Sequence, residues 1–242
     1  MSIKENFEYI KSEIAKAAER SGRSADDVML LAVTKLHSPD EMNEVIDAGA
    51  ADIGENKVQE VLAKYDYVKP ARWHLIGHLQ TNKVRQIIDK VVMIQSVDSL
   101  HLAKEIEKRA AQAGITMDIL IQVDPAEQET KFGLDPSELD ALIKSIAEEC
   151  PHVYVKGLMA IAPFVDDPED ARPFFREVKG VFDDCRNKKK NGEEGFDSDN
   201  VDMTVLSMGM TNDFRVAVEE GSTMVRVGTA IFGMRNYRSE EK

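Results

Sequence analysis

Cysteine is scarce in this sequence: the two that occur, Cys150 and Cys185, make no metal-binding spacing and no disulfide framework. No apolar run reaches the roughly eighteen residues that a membrane-spanning helix needs. Residues 1–20 contain no apolar stretch that ends in a cleavage site for secretion. Their apolar side chains fall on one helical stripe instead, which predicts a folded N-terminal helix. We therefore expect reduced thiols and a cytoplasmic protein.

Basic residues are also in short supply, with 31 Lys and Arg against 44 Asp and Glu and a net charge of −13. Such a charge argues against a nucleic-acid backbone as partner, and no membrane partner is expected. An anionic ligand would have to be held locally, by backbone N–H groups and a few placed cations. With 242 residues, 43% of them hydrophobic, the chain is long enough to bury one full core.

Eight apolar segments of strand length recur along the chain, each followed by a helical pattern. This alternation predicts parallel βαβ units, and continuous apolar runs are typical of a parallel sheet covered on both faces. We predict a single (β/α)₈ barrel over residues 1–242 with an extra N-terminal helix at 1–20. An open doubly wound sheet is the alternative. The predicted strands are 28–35, 51–55, 72–77, 91–97, 117–124, 153–161, 202–208 and 224–228.

Three predicted helices begin with a capping residue followed by proline, and acidic residues fill their first turns. These starts are Ser38-Pro39, Asp135-Pro136 and Asp167-Pro168. Residues 187–200 (NKKKNGEEGFDSDN) are predicted to form a solvated loop between the sixth helix and the seventh strand. No dinucleotide-binding or Walker motif is present.

Lys35 closes the apolar run 29–34. In a barrel, active groups lie at the C-terminal ends of the strands. An amine at such a position is partly desolvated, which lowers its pKa and suits it to form an imine with an aldehyde. From position alone, a strand-end lysine that extends into solvent is the commoner case.

The loops after the seventh and eighth predicted strands have the composition of a phosphate site. Gly209 and Gly228 allow close approach of the backbone, while Ser207 and Thr229 add hydroxyl donors. Arg226 has the pattern of a partner for a cofactor ring nitrogen. Ordinary βα turns and a salt bridge that closes the barrel are the alternatives. Together with a reactive lysine, these loops indicate a phosphorylated aldehyde as ligand.

Seven segments, in order along the chain, resemble the pyridoxal phosphate homeostasis protein family, which is itself similar to the barrel domain of alanine racemase. They are AVTK at 32–35, GENKVQE at 54–60, WHLIGHLQTNK at 73–83, SVDS at 96–99, GLM at 157–159, LSMGMT at 206–211 and VRVGTAIFG at 225–233. The sequence departs from the family beside the pocket, at Leu36-His37-Ser38 and at Lys57. These departures put cofactor affinity, but not attachment, in doubt.

The resemblance implies that pyridoxal 5′-phosphate (PLP) is held on Lys35 as a Schiff base. It also implies phosphate contacts at Ser207, Gly228 and Thr229, an arginine at the pyridine nitrogen, and a pocket lined in addition by three further residues. The arginine is Arg226, and the further residues are Asn56, Met210 and Thr211. Lys131 is interpreted as a gate or transfer residue, although a solvated loop lysine is the commoner case.

The function implied is storage, delivery or buffering of PLP without robust turnover, with PLP and apo PLP-dependent enzymes as partners and a monomer as the expected state. An amino-acid racemase is the alternative. It is disfavoured because a guanidinium at Arg226 can only donate, which leaves a weak electron sink. In addition, none of the five tyrosines lies at a predicted strand end that faces the pocket. A cofactor-free aldolase that uses Lys35 or Lys156 ranks third.

Overall fold

Eight parallel strands close into a barrel in the computed structural model, which describes residues 1–125 and 132–233. The strands follow one another in chain order, and the first pairs with the last through Leu31 and Arg226. This closure confirms the predicted barrel over the open sheet. The strands are β1 (Met29–Val33), β2 (Asp52–Glu55), β3 (Arg72–Leu75), β4 (Met93–Val97), β5 (Met117–Gln122), β6 (Val153–Met159), β7 (Val201–Ser207) and β8 (Met224–Val227).

Helices cover the outside of the barrel, and the predicted N-terminal helix is among them. A capping box between Ser2 and Glu5 starts it, and its buried face packs against the last two helices. The α-helices are α1 (Ile3–Arg20), α2 (Pro39–Asp47), α3 (Val58–Lys64), α4 (Leu100–Ala113), α5 (Leu139–Glu149), α6 (Arg172–Asn191), α7 (Phe214–Glu219) and α8 (Thr229–Phe232).

The structure differs from the predicted helices at one crossover and at one helix end. After β3 the chain forms a 3₁₀ helix, Thr81–Gln86, in place of an α-helix. The predicted loop at 187–200 is wrong in its first five residues, because α6 continues to Asn191. Lys188 forms ion pairs there with Asp184 on the previous turn and with Asp140 on α5, and both stabilise the last turn.

Side chains along the strands alternate between an outer layer under the helices and an inner cluster. The inner cluster is Leu31, Val33, Ile76, Met93, Leu120, Met159 and Met224. Since alternation has a period of two, residues 31, 33 and 35 share the inner face of the first strand and its extension. Lys35 therefore emerges at the C-terminal mouth of the barrel.

The structure describes the two cysteines and the helices, to which two of the expectations from composition refer. Cys150 and Cys185 are free and buried. Across residues 1–125 and 132–233, no helix is both long enough and apolar enough to span a bilayer.

Candidate functional site

A cavity of about 400 Å³ opens at the C-terminal mouth of the barrel. It brings together seven of the eight residues predicted for the site: Lys35, Asn56, Met210, Thr211, Arg226, Gly228 and Thr229. Four further residues line it that sequence reasoning did not assign to the site: Val33, Ile76, Ile161 and Asn212. Three of these are apolar strand or strand-end residues, whose direction depends on the sheet register. The fourth, Asn212, directly follows a predicted site residue.

The backbone on both sides of Lys35 is held by side chains of α3. Leu36 has a left-handed backbone with φ of 67°, which is unusual for a branched residue. Its N–H donates to Glu60 Oε2 at 2.6 Å. Lys64 Nζ donates to the same Glu60 oxygen at 2.8 Å and to the Thr34 carbonyl at 3.2 Å. This clamp fixes the strained turn from which Lys35 enters the cavity.

A buried carboxylate, Glu55, lies behind the same turn. Its Oε1 accepts from Lys64 Nζ at 2.9 Å and from the Thr34 hydroxyl at 2.8 Å. Burial raises the pKa of Glu55, and the ammonium group of Lys64 opposes that rise. The other oxygen, Oε2, has no hydrogen-bond partner among the described residues. Glu55 therefore supports the clamp from the helix side of the sheet.

Small and hydroxyl residues form the opposite wall of the cavity. Gly228 passes close to β1, because a Cβ at this position would lie 3.1 Å from the Val33 carbonyl oxygen. Thr211 Oγ1 accepts from the Ala230 N–H at 3.4 Å, which ties the loop after β7 to the first turn of α8. Gly209 allows the loop after β7 to turn, since its φ of 94° is left-handed.

Ser207 is not among the residues that line the cavity. It is fully buried, its hydroxyl donates to Gln95 Oε1 at 2.8 Å, and it accepts from Arg226 Nη1 at 2.8 Å. These bonds direct the hydroxyl into the barrel interior, so this placement argues against a direct phosphate contact by Ser207. Thr211 and Thr229 are the hydroxyl residues that do line the cavity.

Arg226 reaches the cavity from inside the barrel. Its Nη1 also donates to the Ser207 carbonyl at 2.8 Å, and its Nη2 donates to the Ala160 carbonyl at 2.9 Å. Burial lowers the pKa of Arg226 to about 10, against the opposing effect of the Asp213 carboxylate. The guanidinium group is therefore charged at neutral pH and held by strand-end carbonyls.

Other candidates from the sequence lie elsewhere. Lys156 forms an ion pair with Asp202 at 2.8 Å, and the hydrogen bond from that pair raises the pKa of Lys156. A raised pKa is the opposite of what an imine-forming lysine needs. Lys131, the predicted gate residue, lies outside the described residues. Residues 1–125 and 132–233 contain no side-chain group suited to hold a metal ion.

Comparison with known sequences identifies relatives over the whole chain. The family model for the N-terminal domain of alanine racemase matches residues 6–236. The pyridoxal phosphate homeostasis protein of Aquifex aeolicus is 42% identical over 98% of this chain and 100% of its own length. The protein of that name from Haemophilus influenzae is 34% identical over 100% of this chain and 99% of its own length.

Comparison with solved structures identifies proteins with a similar fold. A protein of unknown function from Bifidobacterium adolescentis has a TM-score of 0.83 and 36% identity, over 95% of this chain and 94% of that one. PipY of Synechococcus elongatus, solved with PLP bound, has a TM-score of 0.75 and 32% identity, over 91% of this chain and 100% of that one. Alanine racemase of Corynebacterium glutamicum shares the fold, with a TM-score of 0.67 at 19% identity over 95% of this chain and 61% of that one.

Proposed function

The chain belongs to the pyridoxal phosphate homeostasis protein family, and from this membership we propose that it binds PLP at the C-terminal mouth of its barrel and stores, delivers or buffers the cofactor. One observation carries the proposal. Lys35, which follows β1, lines one cavity together with Arg226 and the Gly228-Thr229 turn at the end of β8. The PLP-bound structure of the relative PipY supports the same ligand.

The residues present fit this cofactor. A cavity of about 400 Å³ lies within the range of roughly 300–1,000 Å³ that small-molecule ligands occupy. It combines apolar walls with an amine, a guanidinium group and hydroxyl groups, which suit an aromatic ring that carries an aldehyde and a phosphate. Gly228 leaves space where a side chain would crowd the Val33 carbonyl. When bound, PLP supplies an aldehyde that condenses with a lysine amine.

We assign the residues as follows. The Lys35 amine would make the covalent attachment, and the clamp from Lys64 and Glu60 orients its backbone. With PLP bound, Arg226 would donate to the pyridine nitrogen and would keep it unprotonated, because a guanidinium group has no acceptor. Hydroxyl, amide and backbone donors would hold the phosphate, and aliphatic side chains would contact the ring. The phosphate residues are Thr211, Asn212, Gly228 and Thr229, and the aliphatic residues are Val33, Ile76 and Ile161.

Borohydride reduction tests the attachment. Reduction of the PLP-loaded protein, followed by peptide mapping, should place a pyridoxyl group on Lys35. Lys35→Ala should lose the imine absorption band. Lys57→Ala is the matched control, because Lys57 is an exposed lysine just after the neighbouring strand β2 and should leave the band unchanged. A full-strength band in Lys35→Ala contradicts the assignment.

Robust racemisation is not part of the proposal. A racemase needs an acid–base group on each face of the substrate α-carbon. Among the described residues that line the cavity there is no tyrosine, histidine or carboxylate to serve opposite Lys35. We expect no more than trace exchange of the alanine α-proton in deuterated water. Robust exchange that Lys35→Ala abolishes would favour the racemase alternative, with which the chain shares its fold.

A further inference from the structure

A chain of hydrogen bonds runs through the interior of the barrel and ends at the cavity. Arg226 Nη1 donates to Ser207 Oγ, which donates to Gln95 Oε1, each at 2.8 Å. Gln95 Nε2 contacts His74 Nδ1 at 3.0 Å. His74 Nε2 contacts Asp52 Oδ1 at 2.9 Å. The relay, as we call these five residues, thus connects β8, β7, β4, β3 and β2 across the barrel.

The relay is buried where barrels are usually apolar. Each of its five residues is at most 4% exposed. The interior of such a barrel is normally filled by branched apolar side chains. Buried polar groups are costly unless every one is bonded, and well-packed apolar residues are often no less stabilising. Stability alone therefore does not account for a polar chain at this place.

The two ends of the relay carry opposite charge. Burial alone would raise the pKa of Asp52, but hydrogen bonds from His74 and Arg72 outweigh burial and hold it below its ordinary value. Asp52 is therefore an anion at neutral pH, and Arg226 at the other end is a cation. Between them Gln95 presents its amide nitrogen to His74, so the histidine accepts at Nδ1 and donates from Nε2 to Asp52. Every donor in the relay then points from the arginine toward the aspartate.

We propose that Ser207, Gln95 and His74 are positioning residues that hold the Arg226 guanidinium group in one orientation toward the cofactor ring. This inference rests on the proposed function. The bonds to Ser207 and Ala160 use three of the five N–H groups of Arg226 and fix the plane of the guanidinium group. The relay therefore acts on the ring side of the ligand, whereas Thr211 and Thr229 act on the phosphate side.

PLP and pyridoxal differ only in the phosphate. Comparing their affinities therefore distinguishes residues that act on the ring from residues that act on the phosphate. Loss of the Ser207 hydroxyl should weaken PLP and pyridoxal by a similar factor, about 3- to 10-fold, because both contain the ring. Thr229→Ala is the matched control: it should weaken PLP by a similar factor and leave pyridoxal nearly unchanged. If Ser207→Ala weakens PLP alone, the serine contacts the phosphate and the relay proposal is overturned. If it weakens neither ligand, the proposal is equally overturned.

A spectroscopic readout separates positioning from general damage to the core. In PLP labelled with ¹⁵N on the ring, the pyridine resonance should move in Ser207→Ala and in Gln95→Met, which keeps a side chain of similar size. Met224→Leu is the control, because Gln95 also contacts the Met224 sulfur at 3.1 Å outside the relay. That variant should leave the resonance in place. If Gln95→Met does not fold, Ser207→Ala carries the test alone. An unchanged resonance in Ser207→Ala, even with a lower melting temperature, contradicts the proposal.

Failure of the proposed function would look different. Wild-type protein would then show no borohydride-stable label on Lys35 with either aldehyde. If the wild-type protein does carry this label on Lys35, the variants above test the relay alone.

Discussion

At the residue scale, Gly157 shows how closely neighbouring strands approach inside this barrel. Its φ is 151°, and a Cβ added there would lie 1.8 Å from the Val205 carbonyl oxygen on β7. Backbone cannot move aside as the end of a flexible side chain can. The register shift between β6 and β7 occurs at this place, between Val155 and Gly157. Only glycine allows the two strands to pair there.

Gly157→Ala should therefore destabilise the protein by at least about 3 kcal/mol, or prevent folding, since it combines a forbidden contact with a strained backbone. Urea unfolding followed by circular dichroism measures the change. Gly180→Ala is the matched control, because Gly180 lies within α6 and a Cβ there meets nothing within 4 Å. It should stabilise the protein by roughly 0.5–1 kcal/mol. A Gly157→Ala protein as stable as wild type would contradict the strand contact.

The two cysteines give a pH-dependent prediction. Burial raises the pKa of Cys150 to about 11 and that of Cys185 to about 12, from an ordinary value of 9.0. Above pH 9 the unfolded chain loses these protons while the folded protein keeps them, so stability should fall as pH rises toward 11 to 12. A Cys150→Ala, Cys185→Ala double variant, compared with wild type at pH 8 and pH 10, should lose less stability on going to pH 10. An equal loss in both proteins would contradict it.

At the scale of elements, the turn that carries Lys35 is continuous with the start of α2. Ser38 Oγ accepts from the Glu41 N–H at 3.3 Å, and Glu41 Oε2 accepts from the Ser38 N–H at 2.8 Å. Pro39 occupies the first turn. This capping box fixes where the helix begins and so limits the length of the loop after β1.

Ser38→Ala should cost about 1 kcal/mol of stability, because it leaves an N-terminal donor of α2 without its cap. Chemical denaturation measures the loss. Ser145→Ala is a control in the middle of α5, where the serine only bonds back to the Ala141 carbonyl. It should change stability by less than about 0.5 kcal/mol. Equal losses in the two variants would argue against the capping box.

The strands and most helices could be predicted because each has a local signal: an apolar run, a capping residue or a terminal glycine. The end of α6 was mispredicted because Lys188 and its neighbours have the composition of a loop, while the partner Asp140 lies on another helix. Ser207 was assigned to the phosphate because a hydroxyl at a strand end suits that role. Which way it faces depends on the register, since a shift of one residue moves a side chain to the other face. His74 and Gln95 gave no local signal, because only the pairing of β3 with β4 brings them together.

At the scale of the whole molecule, an acidic chain must bind an anionic ligand. The net charge of −13 disfavours the approach of a phosphate dianion. Binding therefore depends on short-range donors at the cavity. Charge-assisted hydrogen bonds of this kind contribute roughly 1.5–3 kcal/mol each. The phosphate should then supply more of the non-covalent affinity than the ring does.

Ligand binding should appear as an increase in the melting temperature of the whole protein, because PLP binds the folded state alone. At a concentration about 100 times its dissociation constant, a ligand stabilises by about 2.7 kcal/mol. For a chain of this size that corresponds to roughly 5–10 °C, since about 1 kcal/mol shifts the midpoint by 2–4 °C. Pyridoxal at the same concentration should give a much smaller shift, because it keeps the aldehyde but lacks the phosphate. Differential scanning fluorimetry with PLP, pyridoxal and inorganic phosphate measures all three shifts.

Lys35→Ala serves as the control: it should keep part of the shift with PLP, because the phosphate contacts remain when the covalent bond is lost. Equal shifts with PLP and pyridoxal would show that the ring and the aldehyde, and not the phosphate loops, dominate binding.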